Sequence, residues 1–169
     1  MRHTISILVD NEPGVLARIA GLFSARGFNI ESLCVAETLD PTTSRITLVT
    51  SGEDWIIEQI IKRFNNMISV IKVQDLTELT SVEREMVLIR VEATQESRAE
   101  ILRMADIFRA KVIDVGPRSY ALELTGDRDK VNAFIELLKP MGIKEIARTG
   151  VVAMAREIQS YNNKKEGDT

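Results

Sequence analysis

His3-Thr4-Ile5-Ser6-Ile7-Leu8-Val9, followed by Asp10-Asn11-Glu12-Pro13-Gly14-Val15-Leu16, reads as a strand, a tight polar turn and the start of a helix. Ile5, Ile7 and Val9 fall on one face of the strand, and Thr4 and Ser6 on the other. From Gly14 onward Val15, Leu16, Ile19, Ala20, Leu22 and Phe23 recur three and four apart, as on one helix face. Gly27 is expected to end that helix as a left-handed cap. A helix start carries unpaired backbone N–H groups and a partial positive charge, so this turn offers a place for a carboxylate. An Asn or Asp in the same turn offers an acceptor to an ammonium group. Such a turn can hold both ends of a free amino acid, and it can equally be an ordinary helix cap.

Further strands are expected over 30–38, 44–50 and 69–77, with a turn at Asp40-Pro41-Thr42-Thr43. Ser51-Gly52-Glu53-Asp54 has the spacing of a capping box, opening a helix that faces inward through Ile56, Ile57, Ile60, Ile61 and Phe64. The order is βαββαβ, and it recurs after a charged break. Strands are expected at 86–92, 111–115, 119–125 and 143–149. Helices are expected over 94–109 and after Asp127, the second stopped at Pro140. The fold class is therefore α+β, with two ferredoxin-like βαββαβ domains in tandem. The expected divisions are a first domain over 1–77, a linker over 78–85, a second domain over 86–158 and a polar tail over 159–169. In the first domain the sheet face away from the helices carries Leu8, Cys34, Ala36 and Val49 among Thr4, Ser6, Ser32 and Thr47. That face is too apolar for exposure and too small-sided for a deep core, which points to pairing with a second copy.

Composition narrows the chemistry. Twenty-two basic residues stand against 25 acidic ones, giving a net charge of −3 and no overall positive field for nucleic acid. Cys34 is the one cysteine, which suits a reducing cytoplasm. No apolar stretch approaches a membrane span. One His and one Cys supply neither a zinc site nor a nucleophile with its base, and His3 reads as a locally satisfied strand residue. Gly14, Gly21 and Gly27 lack the spacing of a phosphate loop. The ferredoxin-like order is shared by an RNA-binding module, but Phe23, Phe64, Phe108 and Phe134 fall on core-facing helix positions and leave no aromatic sheet surface. What remains is Asn11 and Gly14 in the first turn, with Asn29 where the second strand begins.

Asp10-Asn11-Glu12-Pro13-Gly14-Val15-Leu16 and Gly27-Phe28-Asn29-Ile30-Glu31-Ser32-Leu33 together resemble the signature of an ACT domain, a small-molecule sensing module. From Met1 to about Arg156 the chain is similar to the family of small regulatory subunits of acetolactate synthase. The similarity runs through Ser69–Val73, Tyr120–Gly126 and Glu145–Gly150. This resemblance implies no catalysis in the chain itself. It implies a large catalytic subunit as partner, which would carry thiamine diphosphate, magnesium and FAD, and a role in feedback inhibition of branched-chain amino-acid biosynthesis. It further implies a homodimer through ACT domains, with valine at their interface. Asn11, Glu12, Pro13, Gly14, Val15 and Leu16 would take the amino acid's polar ends. Asn29 and Ile30, with Ala36 nearby, would contribute from the facing copy. A stand-alone ACT-domain sensor acting on transcription or on another enzyme is the alternative.

Overall fold

Alternation in the first stretch becomes β1 (Arg2–Asp10), with Ile5, Ile7 and Val9 buried against two helices. The computed structural model describes residues 1–157, so the expected polar tail over 159–169 lies outside the described residues. After β1 come α1 (Val15–Ala25), β2 (Ile30–Glu37), β3 (Thr43–Ser51), α2 (Asp54–Asn65) and β4 (Val70–Asp75). The strands form one antiparallel sheet in the order β2-β3-β1-β4. Phe23 and Phe64, both fully buried, meet in the core with ring centroids 5.6 Å apart. Gly27, at φ 72, donates its N–H to Ser24, while Phe28 reaches back to Phe23. This is the left-handed cap that the sequence predicts.

His3 is 4% exposed and satisfied on both sides. Its Nδ1 lies 3.2 Å from Asp75 and its Nε2 3.0 Å from Asp54, tying β1 to the end of β4 and the start of α2. The capping box at Ser51–Asp54 does not form. Glu53 is the residue preceding α2 and makes no side-chain cap. Ser51 is still in β3, where its hydroxyl donates to Glu31, so the strand takes the side chain that the motif would need.

The second βαββαβ set is β5 (Ser81–Glu92), α3 (Arg98–Phe108), β6 (Lys111–Val115), β7 (Ser119–Gly126), α4 (Arg128–Leu138) and β8 (Ile143–Arg148). Its strand order is β6-β7-β5-β8. The Asp127 side chain caps α4, accepting the Lys130 N–H at 2.9 Å, and Pro140 sits in a 3-10 turn, Lys139–Met141, that ends the helix. α3 begins at Arg98 rather than at Thr94, because Thr94 and Ser97 hydrogen-bond one another and form a turn first. No helix among the described residues is long and apolar enough to cross a membrane.

Two boundaries differ from the expected ones. The break over 78–85 is shorter, since β5 starts at Ser81, and the division between the two units falls between Val82 and Glu83. Glu85 looked like a linker residue because it is charged. It lies instead in the strand, 4% exposed, where Arg148 donates to both of its oxygens from Nε and, at 3.0 Å, from Nη2. That contact holds the Arg148 guanidinium above its ordinary range. Arg148→Met leaves a buried carboxylate with no cation and is expected to cost about 3 kcal/mol of stability. The double variant Glu85→Met with Arg148→Met should recover most of it. Urea midpoints check this, and a single variant within about 0.5 kcal/mol of wild type contradicts it.

The other difference is a ninth strand, β9 (Val152–Ala155), which pairs with β5 and belongs with the first unit, as do the other described residues from Val151 to Glu157. The second domain therefore stops near Gly150 rather than at 158. The Val151 N–H donates to the Ser32 hydroxyl at 2.8 Å, and Arg156 donates its N–H to Thr80. Register places Thr4, Ser6 and Leu8 beside Val49, Thr47 and Arg45, and these beside Ser32, Cys34 and Ala36, on the face away from the helices. The chain thus covers part of that face with its own residues. Thr4, Ser6, Thr47 and Val49 are buried, while Ala36 and Arg45 stay exposed and Leu8 and Cys34 half-buried.

Candidate effector-binding site

Backbone bonds on both flanks hold the turn between β1 and α1. The Asp10 N–H donates to Ser69 at 2.8 Å, and the Asn11 N–H to Thr42 at 2.8 Å. The Asn11 side chain extends the second attachment, with Nδ2 donating to the Pro41 carbonyl at 3.0 Å and to Glu37 Oε1 at 3.2 Å. Both amide hydrogens are thereby used, and Oδ1 is left as an acceptor for an incoming donor. Glu37, at the end of β2, adds a carboxylate beside it. Sequence reasoning missed Glu37, because only the fold of the β2–β3 hairpin brings it next to Asn11.

Gly14 precedes α1 at φ 87 and gives the helix no side-chain cap. A Cβ at this position would meet nothing within 4 Å. The conformation, not crowding, is what favours glycine here. The first backbone bond reaching back to Gly14 is from Arg18, at 3.1 Å, and the N–H groups of Leu16 and Ala17 have no acceptor among the described residues. These are the free donors a carboxylate needs. Glu12 and Pro13 are exposed beside them, and Leu16 is 40% exposed. Val15 differs from expectation. Its side chain is 2% exposed and packs in the core, so it cannot line the site and serves by anchoring the helix start.

Asn29 and Ile30 lie elsewhere. Ile30 pairs with Thr50, and Thr50 with His3, while Asn11 follows Asp10 at the far end of β1. From the level of His3 to Asn11 is eight residues, about 26 Å at 3.3 Å per residue. One chain does not bring the two halves together. Ala36 pairs with Arg45, next to Leu8, so it sits at the Asn11 end of the sheet and not beside Asn29 and Ile30 as expected.

Asp40 stiffens the hairpin that supports Asn11. Its carboxylate accepts from the Thr42 N–H at 2.9 Å and the Thr42 hydroxyl at 2.7 Å, which lowers its pKa from the ordinary 3.8. A depressed folded value means that this contribution is complete above the unfolded pKa and is lost as pH falls through the folded one. The Thr42 amide resonance should therefore hold steady down to about pH 4 and move only below it. A midpoint at or above the ordinary 3.8 contradicts the bond.

Among the described residues no group of three or more His, Cys, Asp or Glu is placed to hold a metal ion. What the turn offers is a pair of free backbone N–H groups at Leu16 and Ala17 beside the Asn11 carbonyl oxygen and the Glu37 carboxylate.

Comparisons with known proteins agree on one family. A family model described as an AHAS small subunit-like ACT domain matches residues 5–72, and one described as the small subunit of acetolactate synthase matches residues 84–157. A probable acetolactate synthase small subunit of Archaeoglobus fulgidus is 56% identical over 92% of this chain and 98% of its own length. The acetolactate synthase small subunit of Aquifex aeolicus is 52% identical over 98% of this chain and 86% of its own. The crystal structure of the acetolactate synthase small subunit from Thermotoga maritima superposes with a TM-score of 0.83, at 46% identity, over 92% of this chain and 98% of the other.

Proposed function

Because this chain belongs to the acetolactate synthase small-subunit family, we propose that it is the non-catalytic regulatory subunit of that synthase, which activates a large catalytic subunit and makes it sensitive to valine. The catalytic partner carries thiamine diphosphate, magnesium and FAD, and the assembly works in the cytoplasm in branched-chain amino-acid biosynthesis. The observation that carries the valine assignment is the turn itself, with free N–H groups at Leu16 and Ala17 and a free acceptor on Asn11. A carboxylate at the helix start and an ammonium at Asn11 and Glu37 fit an α-amino acid.

The site is completed by a second copy. β2 is an edge strand whose outer backbone groups have no partner strand among the described residues. Two-fold antiparallel pairing along β2 sets the Ile30 end of one strand beside the Glu37 end of the other. Asn29 and Ile30 of one copy then face Asn11 and Gly14 of its partner. Valine bound across this seam favours one arrangement of the pair over another, and coupling of this kind is typically about 1–3 kcal/mol. An apolar wall distinguishes valine from leucine by about 1 kcal/mol per methylene, so selectivity is modest.

The test is reconstitution with the large synthase subunit from the same source. The expected result is higher synthase activity on adding this chain, and inhibition by valine only when it is present. An unchanged activity that valine does not affect contradicts the proposal.

A further inference from the structure

The first unit contains a second recess, lined by residues other than those of the Asn11 turn, and its charge is opposite to that of the protein. A cleft of about 290 Å³ opens between the sheet face and the chain's own residues 153–157. Ser6 and Gln74 line it from the sheet, Arg45 and Lys72 stand at its side, and Met154 and Arg156 face them. Arg45 and Lys72 each pair in register with Leu8, from the two neighbouring strands. Their Cα atoms are thus about 10 Å apart, two strand spacings, with Leu8 between them. Ser6 is 3% exposed, and its hydroxyl accepts from Arg45 Nη1 at 2.8 Å, which fixes the guanidinium over the sheet. Neither Arg45 nor Lys72 makes an ion pair among the described residues. Glu157 is the one carboxylate among the residues that line the cleft, and Asp10 lies two residues beyond Leu8 on β1.

We propose that this cleft binds a small organic anion with two or more negative charges, carboxylate or phosphate, and an apolar portion. Three cations border it in a chain whose net charge is −3, so the field inside is a local exception rather than a general property of the surface. Arg45 presents a planar fork to an oxyanion, and Lys72 a mobile point charge on the opposite side. The Gln74 amide donates or accepts as the ligand requires. Leu76 and Met154 give a carbon skeleton an apolar wall, and the volume is near the lower limit for small-molecule sites. A macromolecular partner would need a broad complementary surface, whereas the segment over 153–157 lines one side of this recess.

Calorimetric titration of the full chain tests the proposal, with inorganic phosphate, pyrophosphate and citrate as separate probes. Pyrophosphate or citrate should bind more tightly than inorganic phosphate, and more weakly as salt is raised. A preference for citrate assigns carboxylates, and a preference for pyrophosphate assigns phosphates. Lys72→Gln, whose side chain makes no hydrogen bond among the described residues, should lower affinity about tenfold, and Arg45→Gln with Lys72→Gln about a hundredfold. Lys111→Gln with Lys144→Gln removes the same charge from the second unit and should leave binding unchanged. Wild-type chain that binds none of the three probes overturns the proposal. Undiminished binding by Lys72→Gln, or equal loss in both double variants, does so too. None of these readouts involves valine or a catalytic subunit, so they stand or fall apart from the regulatory role.

Discussion

Gly14→Asp is expected to make the reconstituted synthase insensitive to valine, raising the half-inhibiting concentration roughly a hundredfold, while activation by the small subunit persists. The Asp carboxylate would sit over the Leu16 and Ala17 N–H groups, the donors that the proposed site offers to the effector. Its charge would also repel the amino acid's own carboxylate. Backbone strain adds to this, because φ 87 is costly for any residue with a Cβ, by about 1–3 kcal/mol. Gly14→Ala separates the two causes. A methyl group there meets nothing within 4 Å, so this variant carries the strain without the charge and should keep a weakened response. Activation should survive in both, since Gly14 is exposed and its side is not packed in the core. Equal valine inhibition in Gly14→Asp and wild type would remove the turn from the site.

Phe134→Ala is expected to be the most destabilising single change in the second unit, at about 3–5 kcal/mol. The ring is fully buried, packs 5.1 Å from Phe108 between centroids, and belongs to the cluster with Val87, Ile89, Leu122 and Leu138. Truncation removes its transfer free energy and leaves a cavity that neighbours on β5, β7 and α4 fill only in part. Phe134→Leu keeps most of the volume and should cost less than half as much. Denaturant midpoints at constant slope measure both. A loss below about 1 kcal/mol for the alanine variant means that the core has collapsed around the gap.

The fold was legible in the sequence because its signals repeat. Alternation in β1, three-and-four spacing in α1, and the caps at Gly27 and Asp127 all agree with the structure, and each recurs or is reinforced along the chain. What escaped was short or dependent on distant partners. β9 is four residues, too brief for a period to show, and its role rests on Ser32 receiving the Val151 N–H from far along the chain. Glu85 reads as a solvated charge until strand pairing brings Arg148 to it. Ser51 has the spacing of a helix cap, but it is the last residue of β3, and the strand takes it.

The candidate site divides along the same line. Asn11 and Gly14 announce themselves through turn chemistry. Glu37 and Ala36 join that end only through the hairpin register. Asn29 and Ile30 sit at the opposite end of the sheet, and periodicity within one chain carries no information about where a second chain places them.

That division gives the most direct test of the account, which holds that each site combines Asn11 and Gly14 of one copy with Asn29 and Ile30 of the other. Gly14→Asp and Asn29→Ala are prepared separately, then mixed, unfolded and refolded together, and titrated with valine. Each variant alone should bind no valine or very little. In the mixture half of the two-fold pairs combine one chain of each kind, and each such pair has one intact site and one doubly altered one, so about a quarter of the wild-type capacity should return. A mixture that recovers nothing places both halves of the site within one chain and contradicts the shared site.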